Sequence, residues 1–207
     1  MKQLKLIVVL AITVAFCAAA VAVAATVNGT QGPDALFGTA QNDTINGLGG
    51  NDRIFGLAGR DRINGGIGAD TIDGDGSCPS GVTDPAYCQS GGSGSDTISG
   101  GSGRDTVNGN GGNDRVGGQG GNDRLRGNTG NDRLNGGSGA DVLSGGNGRD
   151  VLTGGSGRDR IQGGDGNDRI AARDGRRDRI NCGAGRDRVA ADRSDRVARN
   201  CERVRRR

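Results

Sequence analysis

Histidine and tryptophan are absent from this chain, and tyrosine occurs once and phenylalanine three times in 207 residues. Without an imidazole, the common acid–base and nucleophile constellations have no base, and the usual nitrogen ligands of zinc and copper are missing. Neither H-E-x-x-H nor G-x-S-x-G occurs, so no catalytic residue is nominated and the chain is not expected to be an enzyme. The scarcity of aromatics leaves no stacking platform for bases, and nucleic acid is not an expected partner. Against these absences stand 44 glycines. Glycine loses the most freedom on folding, and few large side chains remain to offset that loss by burial. An ordinary globular core is excluded. Either the chain is unfolded, or something besides apolar packing holds it together.

Only the first 25 residues are strongly apolar. Lys2 and Lys5 precede an uncharged stretch from Leu6 to Ala25 that ends in Ala22-Val23-Ala24-Ala25. That order of charge, apolar run and small residues reads as a secretory signal peptide over residues 1–25. The alternative is an uncleaved anchor, since about 20 apolar residues span a bilayer; the alanine-rich end favours cleavage. Cys17, preceded by bulky Phe16 inside the run, is not placed for lipidation. No later segment is apolar enough to cross a membrane, so no span is expected after cleavage and the mature chain is expected to be secreted. Beyond the leader no lysine remains. Residues 26–168 hold 11 Arg and 18 Asp, net −7, and residues 169–207 hold 14 Arg and 6 acids, net +8. An acidic body runs into a basic end.

The aspartates recur every nine residues: Asp34, Asp43, Asp52, Asp61 and Asp70, then, after an interruption, Asp96, Asp105, Asp114, Asp123, Asp132, Asp141, Asp150, Asp159 and Asp168. Two residues after each stands an aliphatic, from Leu36 to Ile170. Four residues after each stands glycine, from Gly38 to Gly163, and only Ala172 breaks the rule. The glycine-rich half of each repeat suits a tight turn. The other half, such as Asp105-Thr106-Val107-Asn108, alternates like a strand with one buried face. A turn and a short strand, repeated, describe an all-β fold, a parallel β-roll or solenoid with two repeats per coil. Seven coils stacked at about 4.8 Å would extend about 35 Å around a very thin core.

Stacking brings the aspartates into columns. Two carboxylates about 5 Å apart repel by roughly 0.8 kcal/mol even in water, so a column calls for cations. The turns offer oxygen ligands only, carboxylates and backbone carbonyls, in flexible loops. That donor set favours Ca²⁺ over zinc or copper, and the lack of a rigid octahedral site disfavours Mg²⁺.

Segments such as Gly91-Gly92-Ser93-Gly94-Ser95-Asp96-Thr97-Ile98-Ser99 fit G-G-x-G-x-D-x-U-x with an aliphatic at U. Over about residues 29–189 the chain therefore resembles the RTX, or haemolysin-type, calcium-binding repeats. The resemblance implies several Ca²⁺ ions shared between neighbouring coils, with the fourteen aspartates above and loop carbonyls as ligands. The repeats of Asp34 and Asp43 fit least well, with Pro33 beside Asp34 and Gln41 in a glycine position. The resemblance also implies a bacterial source. The chain departs from many members of the family in its N-terminal leader and in carrying no protease, lipase or toxin domain.

The organisation expected is a leader (1–25), a first stretch of roll (29–74), an insertion (75–91), the main roll (92–172) and a degenerate, basic C-terminal cap (173–207). Four cysteines follow the leader and allow three pairings. Proximity favours Cys78–Cys88, stapling the insertion around Tyr87, and Cys182–Cys201, stapling the tail; both suit an oxidising compartment. Past Asp168 the beat drifts to Asp178, Asp187 and Asp195, while Ile180, Val189 and Val197 keep their places, so degraded coils are expected to continue, with Asp192 and Asp195 as weak further ligands. Arginine often follows the Asp directly (Arg53, Arg62, Arg115, Arg124, Arg133, Arg160, Arg169, Arg179, Arg188), on the outward face. Two readings stay open for this ladder: a solvated face balancing the acidic loops, or a grip on an anionic cell-surface polymer, which would make the protein a calcium-stiffened adhesive scaffold.

Overall fold

A computed structural model describes residues 24–75 and 93–207. The expected Cys78–Cys88 pair and Tyr87 lie outside the described residues, as do residues 1–23. Two parallel sheets form the molecule. One stacks β1 (Thr26–Asn28), β3 (Thr44–Asn46), β5 (Arg62–Ile67), β7 (Thr97–Ser102), β9 (Arg115–Gly120), β11 (Arg133–Ser138), β13 (Val151–Ser156), β15 (Arg169–Ala172), β17 (Arg188–Ala191) and β19 (Arg203–Arg206). The other stacks β2 (Ala35–Phe37), β4 (Arg53–Phe55), β6 (Thr71–Asp73), β8 (Thr106–Gly111), β10 (Arg124–Thr129), β12 (Val142–Asn147), β14 (Arg160–Asp165), β16 (Arg179–Ala184) and β18 (Arg196–Val197). Strands alternate between the sheets along the chain, so each pair of repeats makes one coil of a solenoid.

Strands β2 to β17 each begin directly after an aspartate and bury the residue two places beyond it. In β10 the order is exposed Arg124, buried Leu125, exposed Arg126, the period of two that a one-sided strand requires. The buried aliphatics form one continuous core from Val27 to Val189, with Leu36, Ile54, Leu125 and Leu152 almost wholly enclosed. Registers place each aliphatic on its equivalent one coil away: Leu125 pairs with Val107 and with Leu143. Phe37 and Phe55, neighbours in β2 and β4, stack with ring centroids 5.2 Å apart.

Coils outnumber the seven expected, because strands also form where the nine-residue beat is imperfect. Val27 supplies a first strand that no regular aspartate precedes, and β16–β19 arise from the drifted tail. The solenoid reads the aliphatic, and the loop between two aliphatics absorbs an added or missing residue. Across residues 76–92 the stack keeps its register, since β5 pairs with β7 and β6 with β8 (Ile63 on Ile98, Ile72 on Val107). At the C-terminus, Cys182 and Cys201 are disulfide-bonded and both side chains are buried. The cap consists of the last strands themselves: β19 is exposed along its whole length, and its arginines give the open sheet edge a charged rim that discourages further pairing.

Candidate metal centre

All fourteen expected aspartates are buried, at the turns just ahead of the strands, and they fall into two columns. Along one edge of the roll run Asp34, Asp52, Asp70, Asp105, Asp123, Asp141, Asp159, Asp178 and Asp195. Along the other run Asp43, Asp61, Asp96, Asp114, Asp132, Asp150, Asp168 and Asp187, ending at Glu202. Within each column the amide N–H of one aspartate donates to the Oδ1 of the next, as in Asp105 to Asp123 (2.9 Å), Asp123 to Asp141 (2.8 Å) and Asp141 to Asp159 (2.9 Å). The last link of the second column is Asp187 N–H to Glu202 Oε2 at 2.9 Å. One carboxylate oxygen therefore has a structural task, closing the backbone ladder across the turn.

The other oxygen does not. Oδ2 is buried and without a hydrogen-bond partner in Asp52, Asp61, Asp70, Asp96, Asp105, Asp114, Asp123, Asp132, Asp141, Asp150, Asp159, Asp168, Asp178 and Asp187. Such groups are costly, and here the cost recurs coil after coil. Eleven of these fourteen oxygens lie against the glycine five residues earlier, from Gly47 beside Asp52 to Gly163 beside Asp168, and that of Asp96 lies against Gly74. A β-carbon on Gly74, for example, would stand 2.9 Å from the Gly109 carbonyl oxygen, and one on Gly154 would stand 2.5 Å from Asp159 Oδ2. Glycine recurs there because carboxylate and carbonyl oxygens crowd the place a side chain would take. This requirement is for space, not for dihedral freedom.

Burial pushes the carboxyls up from the ordinary 3.8, and the like charges of neighbouring coils add to the effect, against the lowering by the donated amide. Asp61 rises to about 8, Asp105 and Asp178 to about 7, and Asp52, Asp96, Asp114, Asp132, Asp141, Asp150 and Asp168 to about 6. The loops resist their own charge unless a cation or a proton joins them. The donor set fits a hard cation, being carboxylate and carbonyl oxygen only. No three His, Cys, Asp or Glu side chains cluster among the described residues, so backbone carbonyls must supply most of any coordination shell.

Asp34 and Asp43 differ from the other twelve. The Thr30 N–H and hydroxyl donate to Asp34 Oδ2 at 2.6 and 3.0 Å, and the Thr39 N–H and hydroxyl to Asp43 Oδ2 at 2.5 and 3.1 Å. Four residues before the aspartate, the later loops carry instead a residue with φ in the left-handed region, such as Leu48 (75°), Asn128 (74°) or Gly146 (112°). The threonine turn spends the oxygen that those loops leave free.

Sequence reasoning left Asp178 and Asp187 out of the site because their spacing drifts, yet both hold orphan oxygens within the columns; the retained aliphatics Ile180 and Val189 were the signal for them. It also passed over Asp75, which is buried beside the second column, donates its backbone N–H to the Gly109 carbonyl (3.3 Å), and accepts the Gly94 N–H at Oδ2 (2.9 Å) while Oδ1 is unpartnered. Asp192 and Asp195 are drawn into the loop backbone: Asp192 Oδ2 accepts the Asp174 and Gly175 amides, and Asp195 accepts those of Asp178 and Asp192.

A family model described as the RTX calcium-binding nonapeptide repeat matches residues 28–61, 47–77, 90–125, 117–152, 144–177 and 153–189. No curated protein matches the chain. The matched stretches run along both columns and end at residue 189, inside the loop closed by the Cys182–Cys201 disulfide.

Proposed function

The chain belongs to the family of RTX calcium-binding nonapeptide repeats, and from that premise we propose that it is a secreted β-roll whose folding is driven by Ca²⁺ entering the two aspartate columns. The observation that carries this reading is the series of orphan buried Oδ2 atoms. The residues proposed to hold the ions are Asp52, Asp61, Asp70, Asp96, Asp105, Asp114, Asp123, Asp132, Asp141, Asp150, Asp159 and Asp168, joined by Asp178 and Asp187, with glycine-loop carbonyls. Asp34 and Asp43 are proposed to be structural, since threonine already satisfies them. Bound calcium would supply positive charge, and a partner for the orphan carboxylate oxygens, at the places where the chain accumulates buried negative charge.

Sites of the affinity typical of extracellular modules, about 10⁻⁴ to 10⁻³ M, would be empty in a cytoplasm and filled outside it. Binding free energy then becomes folding free energy, and the roll forms after export. The proposed leader, residues 1–25, lies almost wholly outside the described residues, and no helix among the described residues is long and apolar enough to cross a membrane. Circular dichroism at pH 8, in calcium and in excess chelator, tests the proposal. Strand signal present with calcium and lost with chelator is expected, with metal analysis of the dialysed protein showing several bound ions. Equal strand signal in both conditions refutes it.

A second reading, a calcium-stiffened scaffold that grips an anionic surface, draws on the arginines. Those that follow the aspartates are exposed. Within the described residues, arginine side chains hydrogen-bond to neutral oxygens, as in Arg173 to the Arg205 carbonyl and Arg206 to the Asp192 and Asp195 carbonyls. Their charge is available to a partner.

A further inference from the structure

The two faces of the roll carry similar arginine columns near the C-terminus but differ in what lies beside them. On the even-numbered sheet, Arg160, Arg179 and Arg196 are in register on adjacent strands, spaced by about 4.8 Å at the backbone. Arg158 and Arg177, from the preceding turns, join them around a cavity of about 370 Å³. The one acid at that cavity, Asp159, is buried, and its Oδ1 is held by the Asp141 amide. No negative charge stands on the surface between these guanidinium groups.

Two residues along each strand, a second in-register row follows: Ser144, Gln162 and Asn181. This row and the arginine column line one open trough of about 620 Å³. Asn181 Oδ1 accepts from Asn200 Nδ2 at 2.7 Å, which leaves its own amide N–H groups as donors. On the odd-numbered sheet, Arg169, Arg188 and Arg203 form an arginine column of equal length, and the row beside it runs Thr153, Ala171, Ala190 and Arg205. The even-numbered face sets two amide side chains, Gln162 and Asn181, beside its charge. The odd-numbered face sets two alanines there.

We propose that the trough on the even-numbered sheet binds an acidic polysaccharide. The guanidinium column takes the chain's anionic groups, through the paired N–H donors that match carboxylate, phosphate or sulfate oxygens. The Ser144–Gln162–Asn181 row exchanges hydrogen bonds with sugar hydroxyls, a task for which hydroxyl and amide side chains are equipped. A nucleic acid is disfavoured because base stacking needs aromatic rings, and the Phe37–Phe55 stack lies at the opposite end of the roll. The proposal deepens the scaffold reading and rests on the coiled state, because only strand pairing brings these residues, 17 to 19 positions apart in the chain, into one column.

The test is titration of the full chain in calcium with hyaluronan oligosaccharides (carboxylate) and heparin fragments (sulfate), with neutral dextran and single-stranded DNA alongside. Three variants accompany the wild type: R160S/R179S/R196S, Q162A/N181A and, on the other face, R169S/R188S/R203S. Dichroism of each, in calcium and in chelator, is recorded first. The first variant is expected to lose roughly a hundredfold in affinity and the second on the order of tenfold, with the third within about threefold of wild type. Equal losses from the two arginine variants would reduce the effect to net charge and overturn the proposal, as would DNA binding as tight as either glycan, or no glycan binding by a wild type that is folded. A roll that proves calcium-independent by dichroism but shows the expected pattern would sink the calcium reading and leave this one standing.

Discussion

At the scale of single residues, the contrast between a threonine turn and a glycine turn decides which aspartates are left wanting a cation. Thr39 closes on Asp43 with its amide and hydroxyl, and Thr30 does the same for Asp34. Replacing both by glycine removes the hydroxyls and permits the positive φ seen at the equivalent place in later loops. The Thr30→Gly/Thr39→Gly protein is expected to fold less well without metal, by about 1 kcal/mol for each lost charge-assisted bond. It should also bind more calcium per chain than the wild type, counted by metal analysis at saturation. An unchanged count would mean that the threonines do not stand in for metal.

The same contrast shows what could be read from residue identity alone. The fourteen regular aspartates, their outward arginines and the buried aliphatics were all legible, because a fixed period converts directly into one side of a strand or one edge of a turn. The split of each carboxylate into a structural Oδ1 and an orphan Oδ2 was not legible. It depends on the amide of the neighbouring coil, 17 to 19 residues away and 35 where the insertion intervenes. Asp75 was missed for a similar reason: it has no place in the nine-residue beat and acquires its burial only from the coils around it.

At the scale of elements, the last coils are held by means other than those of the interior. In the repeats up to Gly163, a glycine α-carbon lies against carboxylate and carbonyl oxygens; in the tail, Ala172, Cys182 and Ala191 are buried in the core instead. The disulfide between Cys182 and Cys201 spans 19 residues and ties β16 to the turn that leads into β19. Closing a loop of that length restricts the unfolded chain by about 3 kcal/mol in the chain-entropy model. Reduction, or Cys182→Ala/Cys201→Ala, is expected to fray β18 and β19 while leaving β9 to β14 intact. Hydrogen exchange should therefore speed up in the last two strands only. Uniform acceleration along the roll would instead show the tail to be part of one cooperative unit.

At the scale of the whole molecule, the two columns make stability a function of proton and metal activity together. Ten of the column aspartates have folded-state values raised from 3.8, from about 6 at Asp52 to about 8 at Asp61, and burial also raises Asp70, Asp123, Asp159 and Asp187. The metal-free roll thus binds more protons than the unfolded chain between roughly pH 4 and pH 8, and its stability falls as pH rises through that window. Calcium-stripped protein is expected to keep strand dichroism near pH 4.5 and to lose it progressively toward pH 8. Saturating calcium should flatten this dependence, and its binding at pH 6 should release protons, detectable as a buffer-dependent heat in calorimetry. A metal-free roll that becomes more stable as pH rises would contradict the burial of uncompensated carboxyls.

Period and composition by themselves determined that this chain is a thin parallel coil with oxygen-lined turns, because a nine-residue repeat with one aliphatic and a glycine-rich half has few other ways to bury what little it can bury. Tertiary structure alone decided which carboxylate oxygens are spent and which are orphaned, how many coils the drifting tail adds, and which arginine column has amide neighbours. Each of these is set by residues one full turn of the solenoid away, and that neighbour is chosen by strand register rather than by distance along the chain.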